Sequence, residues 1–267
     1  MSIRPFFSGA IRTDIPESGG GSGSNTPAYW SSSYEALSQR AYEDSTSLFW
    51  DLNNTGETPS VANSTDACLV FLNAYATEAL DRVGTYDNYS DTLVKNVASH
   101  CSNTIVVIHN AGVRLVDQFV DNPNVTAIVY GHLPGQDSGR AIVSLLYGGE
   151  NFSGKLPYTV AKNQSDYGEV YNHSEPSGIF SRFPQRNFSE GVYIDYRAFD
   201  AHNITPRYEF GFGLSYTTFE FSNLQINQSA PINTSPYPIG EIQQGGPQDL
   251  WDNVVTVLVD VKNTGTV

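Results

Sequence analysis

Positive charge is what this chain has least of. Fourteen lysines and arginines stand against 28 aspartates and glutamates, a net charge of −14 over 267 residues. No Lys/Arg run interrupts the acidic balance, so nucleic acid and anionic membrane surfaces find no electrostatic footprint here. Long apolar runs are also missing: none approaches the ~20 residues of a membrane span, and no membrane partner is expected. Cysteine is reduced to Cys68 and Cys101, too few for a fold built on disulfides. The five histidines, His100, His109, His132, His173 and His202, have no metal-ligand spacing among themselves or with the cysteines. No metal and no cofactor is therefore expected. The opening MSIRPFFSGAIRTDIPES lacks the apolar stretch and small-residue cleavage site of a signal peptide.

Asparagine in acceptor contexts is abundant. Eleven N-x-S/T sequons occur, at Asn53, Asn63, Asn88, Asn124, Asn151, Asn163, Asn172, Asn187, Asn203, Asn227 and Asn233. A chain rich in Asn, Ser and Thr yields a few by chance; eleven, spread along the length, favour a secreted eukaryotic glycoprotein. Set beside a start with no signal peptide, this suggests a piece of a longer protein or a gene product cut short at its start. The apolar fraction of 39%, with 12% aromatics, is enough for a substantial core.

The clearest pattern lies between Asn124 and Val160. Val125 to Tyr130 is a nearly unbroken apolar run, as in a strand buried on both faces of a parallel sheet. Pro134-Gly135 breaks it, and Asp137 or Ser138 can cap a helix whose stripe is Ala141, Ile142, Leu145 and Leu146. Gly148-Gly149 ends that helix. Upstream, the glycine-rich run at 19–24 has neither a preceding strand nor a Walker lysine, and residues 1–27 read as loop. Ser32 and Glu35 have capping-box spacing for a helix ending near Asp44, and 47–52 is a candidate short strand. Strands at 69–73, 105–109 and 125–130 alternate with helices at 92–100 and 113–120, which predicts an α/β fold with a parallel sheet. Cys68 and Cys101 each precede one of these strands, so a bridge at one sheet edge and two buried free thiols both fit.

Beyond Val160 the rhythm stops. The expected organisation is an irregular segment at 1–18, the α/β domain at 19–165, a connector at 166–213 and a partial all-β domain at 214–267. Alternation at 214–226 and 254–261 supplies two strands of that last part, too few for a sandwich.

In parallel sheets, ligands collect at the carboxyl ends of the strands. The residues there are Asn73 and Glu78, then His109 and Asn110, then His132. Ser138 follows Asp137, but GQDSG is not a nucleophile elbow, and a helix-capping role fits better. Glu78 sits in a loop of small residues; in a partly dry setting its pKa would rise and suit a general acid, although a solvated loop glutamate is the plainer reading.

LVFLNAYATEAL, PGQDSG with GKLPYT, and IDYRAFD with YEFGFGLSYTTF, in that order, closely resemble the C-terminal half of fungal β-glucosidases of glycoside hydrolase family 3. The resemblance implies an α/β sandwich followed by the start of a fibronectin type III-like domain. The barrel that carries the Asp nucleophile in a Ser-Asp-Trp context is missing. Family 3 enzymes retain configuration and use two carboxylates about 5–5.5 Å apart. The acid/base motif N-A-x-S-G-E-G-Y falls on Asn73 to Leu80, matching at Asn73, Ala74 and Glu78. Glu78 is thereby implied as general acid/base, with Asn73 and Tyr75 as substrate-binding candidates. Ala76, Thr77, Ala79 and Leu80 depart from the motif and bear on substrate preference.

The implied activity is removal of terminal β-D-glucose from β-glucosides or cello-oligosaccharides, in cellulose and β-glucan breakdown, outside the cell. This chain would supply the acid/base side and its partner would be the barrel of the same protein. The alternative is a non-catalytic pseudoenzyme or glycan-binding remnant. An unrelated flavodoxin-like module fits the strand-helix rhythm but leaves the motif blocks unexplained.

Overall fold

The computed structural model describes residues 2–7, 22, 27–52, 60–61, 65–78, 82–171, 174, 176–229, 235–237 and 240–267. The chain divides into two compact units, Met1–Leu214 and Ser215–Val267.

The first unit is α/β. Its parallel sheet takes strands β1 (Ser2–Phe7), β2 (Ser47–Leu48), β3 (Ala67–Ala74), β4 (Thr104–Asn110) and β5 (Val125–Tyr130) in the order β2-β1-β3-β4-β5. Successive side chains of a strand face opposite ways, so central strands that are apolar at every position demand cover on both sides. Cys68, Val70 and Leu72 of β3, with Val106 and Ile108 of β4, pack against Leu93, Val94 and Val97 of helix α2 (Asn88–Ala98). Leu69, Phe71 and Val107 turn the other way, onto Leu37 of helix α1 (Ser33–Asp44) and Ile142 of helix α3 (Ser138–Leu146). Cys68 and Cys101 form a disulfide that ties β3 to the turn before β4.

Local signals explain the helix starts. Ser32 and Glu35 make the reciprocal capping box that their spacing predicted, with the Ser32 side chain accepting from the Glu35 N–H. Asp87 caps α2 by accepting from the Ser90 N–H at 2.7 Å. Asp137 stands at the N-cap of α3 without capping it; its carboxylate accepts instead from the Tyr29 hydroxyl at 2.5 Å and from Arg140 Nε at 2.6 Å.

Three expectations change. Residues 2–7, read as loop, form a strand inside the sheet. Pro5 argued against that because proline cannot donate to a ladder, yet it is paired in register with Leu69. The strand expected at 47–52 is only two residues long. The helix expected at 113–120 is a loop ending in tight turns, with Phe119 and Val120 N–H groups donating to the Val116 carbonyl. Its apolar residues mimic a helical stripe because Leu115, Val116 and Phe119 all insert into the core. Its backbone bonds run elsewhere, the Leu115 N–H to the Thr85 carbonyl at 2.8 Å. Arg114 is buried within this loop and pairs with Asp91 of α2 at 2.7 Å. Burial raises the Asp91 pKa, and Arg114 opposes that rise.

The aperiodic stretch after Val160 is packed rather than extended. Helix α4 (Tyr196–Ala201) inserts Phe199 among Leu115, Leu156, Val160 and Ala161, and Val160 bridges antiparallel to Tyr208.

The second unit pairs β6 (Phe219–Gln228) antiparallel with β9 (Val255–Asn263), interrupted between Ser222 and Gln225. Two short strands, β7 (Ile242–Gln243) and β8 (Gly246–Pro247), make a separate hairpin. Every residue of β6 and β9 is exposed.

Candidate active site

The carboxyl ends of β3 and β4 end in register, Asn73 opposite His109 and Ala74 opposite Asn110. Alternation sends these neighbours to opposite faces. His109 faces the α1/α3 side, stacked on Phe71 with ring centroids 6.4 Å apart. It is buried with Nδ1 unbonded, and burial lowers its pKa to about 4, so the ring is neutral near pH 7. Asn110 faces the other side. Its Nδ2 donates to the Gly112 carbonyl at 2.6 Å and to the Tyr158 hydroxyl at 2.9 Å, and that hydroxyl lies 3.4 Å from His132 Nδ1. His132, just past β5, has φ 49°, an uncommon conformation for a non-glycine residue.

Glu78 lies on the loop that leaves β3, beyond Tyr75, which is 54% exposed. Of the two settings weighed for Glu78, the structure shows the solvated one. Its carboxylate is solvent-exposed and accepts from the Ser22 hydroxyl at 2.5 Å and the Ser22 N–H at 2.8 Å. Those two donors hold the carboxyl below its ordinary pKa, the hydroxyl contributing most. Asn73 is half-buried at the end of β3. The structure thus gathers Asn73, Asn110 and His132 at one end of the sheet and hangs Tyr75 and Glu78 on the loop beyond it. Ala76 and Thr77 are described with that loop, whereas Ala79 and Leu80 lie outside the described residues. Two polar residues that no local pattern had marked, Arg82 and Tyr158, complete the hydrogen bonding. Apart from the Gly84 carbonyl, which Arg82 reaches locally, their partners lie 26 to 48 residues away, so their immediate sequence does not signal the contacts.

The sequence blocks that carry the resemblance are docking surfaces between segments. In PGQDSG, the Gly139 N–H donates to the Ser31 carbonyl at 2.7 Å, and a Cβ on Gly139 would stand 2.1 Å from the Ser32 carbonyl oxygen. Only glycine lets α3 approach the start of α1 so closely. Ser138 is buried, its hydroxyl donating to the Ser31 carbonyl at 3.2 Å, while Asp137 holds the N-cap position of α3. GKLPYT is bonded to the later blocks: the Leu156 N–H donates to the Phe212 carbonyl and the Gly211 N–H to the Leu156 carbonyl. Lys155 Nζ donates to the Gly213 carbonyl, and the Thr159 N–H and hydroxyl donate to the Asp195 carboxylate.

Among the sequons, Asn88, Asn163, Asn187, Asn203 and Asn227 are exposed, and Asn124 and Asn151 half-buried. Asn124 Nδ2 donates to the Ala98 carbonyl at 2.7 Å. Asn53, Asn63, Asn172 and Asn233 lie outside the described residues.

Comparison with known proteins agrees with this architecture. Residues 8–216 match the glycosyl hydrolase family 3 C-terminal domain. A probable beta-glucosidase M of Emericella nidulans is 54% identical over 98% of this chain and 34% of its own length. A beta-glucosidase of Pyricularia oryzae is 55% identical over 100% of the chain and 34% of its own. The crystal structure of the beta-D-glucoside glucohydrolase from Trichoderma reesei superposes with a TM-score of 0.85 at 35% identity, covering 100% of this chain and 39% of that one. The chain spans about a third of the length of the curated relatives it matches. With a family match over most of its residues, docking blocks that interlock in the fold, and these relatives, the chain belongs to glycosyl hydrolase family 3.

Proposed function

We propose that this chain is the acid/base part of a retaining β-glucosidase, acting on terminal β-D-glucosyl residues of β-glucosides or cello-oligosaccharides. Glu78 protonates the leaving oxygen and later activates water, and a barrel domain of the same protein supplies the nucleophile. The observation that carries the reading is the position of Glu78. It follows Asn73-Ala74 on an exposed loop at the carboxyl end of a family 3 sheet, where a second domain can close over it.

A general acid must hold its proton near neutral pH, and the exposed Glu78 is held ionised by Ser22. Cover by a barrel and a bound sugar would remove water and raise its pKa. The chain by itself is therefore inactive. Residues 215–267 would begin a fibronectin type III-like domain, in keeping with the antiparallel pair β6–β9. Exposed sequons and the Cys68–Cys101 disulfide support a secreted glycoprotein.

The test compares the chain alone with a chimera in which it replaces the matching third of the Emericella nidulans relative, using an aryl β-glucoside. The expected result is no turnover by the chain and turnover by the chimera. Glu78→Gln should lower the chimera's rate about 10²–10⁴-fold. A chimera that binds glucose but turns nothing over would replace this reading with the glycan-binding remnant, and point to the altered loop at 76–80.

A further inference from the structure

The loop that carries Glu78 is held at both ends by one short stretch, residues 110–113. At its start, the Ala74 carbonyl accepts from the Ala111 N–H at 2.8 Å. At its far end stands Arg82, half-buried, its guanidinium spread over three backbone carbonyls. Nη1 donates to Ala111 at 3.0 Å, and Nη2 to Val113 at 2.5 Å and Gly84 at 3.1 Å. Nε donates to the same Gly84 carbonyl at 3.3 Å. Ala111 therefore fixes the first residue of the loop through its N–H and the last through its carbonyl.

The stretch is itself held in place. Buried Asn110 donates to the Gly112 carbonyl and to the Tyr158 hydroxyl, which neighbours His132. His132 just past β5, Tyr158 of the GKLPYT block and the 110–113 stretch that holds the Glu78 loop thus lie along one chain of polar contacts. A rigid fork of donors suits such a clamp, because a guanidinium meets several acceptors at fixed angles where an ammonium meets each as a point charge.

We propose that Arg82 is a positioning residue for Glu78, setting where the loop places the carboxyl relative to a leaving oxygen. This rests on the reading of Glu78 as acid/base. Displacing a reacting group by about 1 Å costs on the order of a hundredfold in rate. The loss falls on the step that needs proton delivery, so it scales with how much the leaving group needs protonation.

The experiment uses the chimera with phenyl β-glucoside, whose leaving group needs the proton, and 2,4-dinitrophenyl β-glucoside, whose leaving group does not. Arg82→Gln is expected to lower kcat/KM about a hundredfold on the first and less than about tenfold on the second. Arg82→Lys should fall between, and Tyr158→Phe, a gentler change, should show the same selectivity at a smaller size. Equal losses on both substrates, or no loss, would overturn the proposal. In parallel, hydrogen exchange on the isolated chain reads the loop directly. Arg82→Gln should speed exchange in peptides covering 74–82 and leave α3 unchanged. If the loop exchanges no faster, Arg82 does not position it. Should Glu78→Gln lack the leaving-group selectivity, the acid/base reading fails, and the exchange measurement still decides the clamp.

Discussion

His109 shows what burial does to a single side chain. The ring is sealed under the sheet end with its Nδ1 unbonded, and burial lowers its pKa from 6.5 to about 4. As pH falls from 6.5 toward 4, the unfolded chain takes up a proton at this residue and the folded chain does not. Stability is therefore full above 6.5 and declines on acidification, at about 1.4 kcal/mol per pH unit or about 3 kcal/mol across the window. Urea denaturation from pH 7 to 4.5 should show this slope, and His109→Phe should flatten it relative to wild type. A second residue, Asp195, sits at φ 53°, ψ −133° to cap α4 and accept from buried Thr159. Asp195→Ala leaves that N–H and hydroxyl unsatisfied and should cost about 3–5 kcal/mol. Asp195→Gly loses the same bonds but suits the backbone conformation, so it should be about 1 kcal/mol less damaging than Ala by denaturant midpoint.

Among elements, the contact between α1 and α3 is the sharpest test of why the motif residues are what they are. A methyl group at Gly139 would meet the Ser32 carbonyl carbon at 2.5 Å as well as its oxygen, and backbone cannot step aside as a flexible side chain can. Gly139→Ala should destabilise the first unit by about 1–3 kcal/mol or more, by thermal unfolding, with the two helices pushed apart. The same comparison shows which parts of the fold the sequence states locally. The strands at β3 and β4 and the capping box at Ser32 were legible, since a two-sided apolar run or a fixed side-chain spacing is enough to specify each. Strand β5 was legible as a strand, but it lies at the sheet edge with none of its residues buried, not covered on both faces as its apolar run suggested. Strand β1 was not, because Pro5 contradicts a ladder and only the tertiary pairing with β3 overrides it. The loop at 113–120 misled because three buried apolar residues at helical spacing are indistinguishable, by pattern, from a helix stripe. The position of Glu78 just past β3 was legible from the strand pattern, and its proposed role from family likeness alone. Its ionised state was not, since that depends on Ser22, 56 residues away.

On the scale of the whole molecule, the two units present very different surfaces. The first has a stapled, two-faced core. Its disulfide closes a sequence separation of 33, which in the chain-entropy view contributes about 3–4 kcal/mol. Cys68→Ala with Cys101→Ala should lower the denaturant midpoint accordingly. In the second unit the main ribbon, β6 with β9, leaves Phe221, Leu224, Ile226, Val257, Leu258 and Val261 all more than half exposed. A two-stranded ribbon is at best marginal alone, and contiguous exposed apolar side chains at open strand edges favour association. The chain should therefore self-associate in a concentration-dependent way under sedimentation, whereas a version ending at Leu214 should stay monomeric. Phe221→Lys with Val259→Lys should reduce association without shifting the unfolding of the first unit. If the truncated form associates equally, the sticky surface belongs to the first unit, and exposed residues such as Tyr29 and Trp30 beside α1 become the place to look.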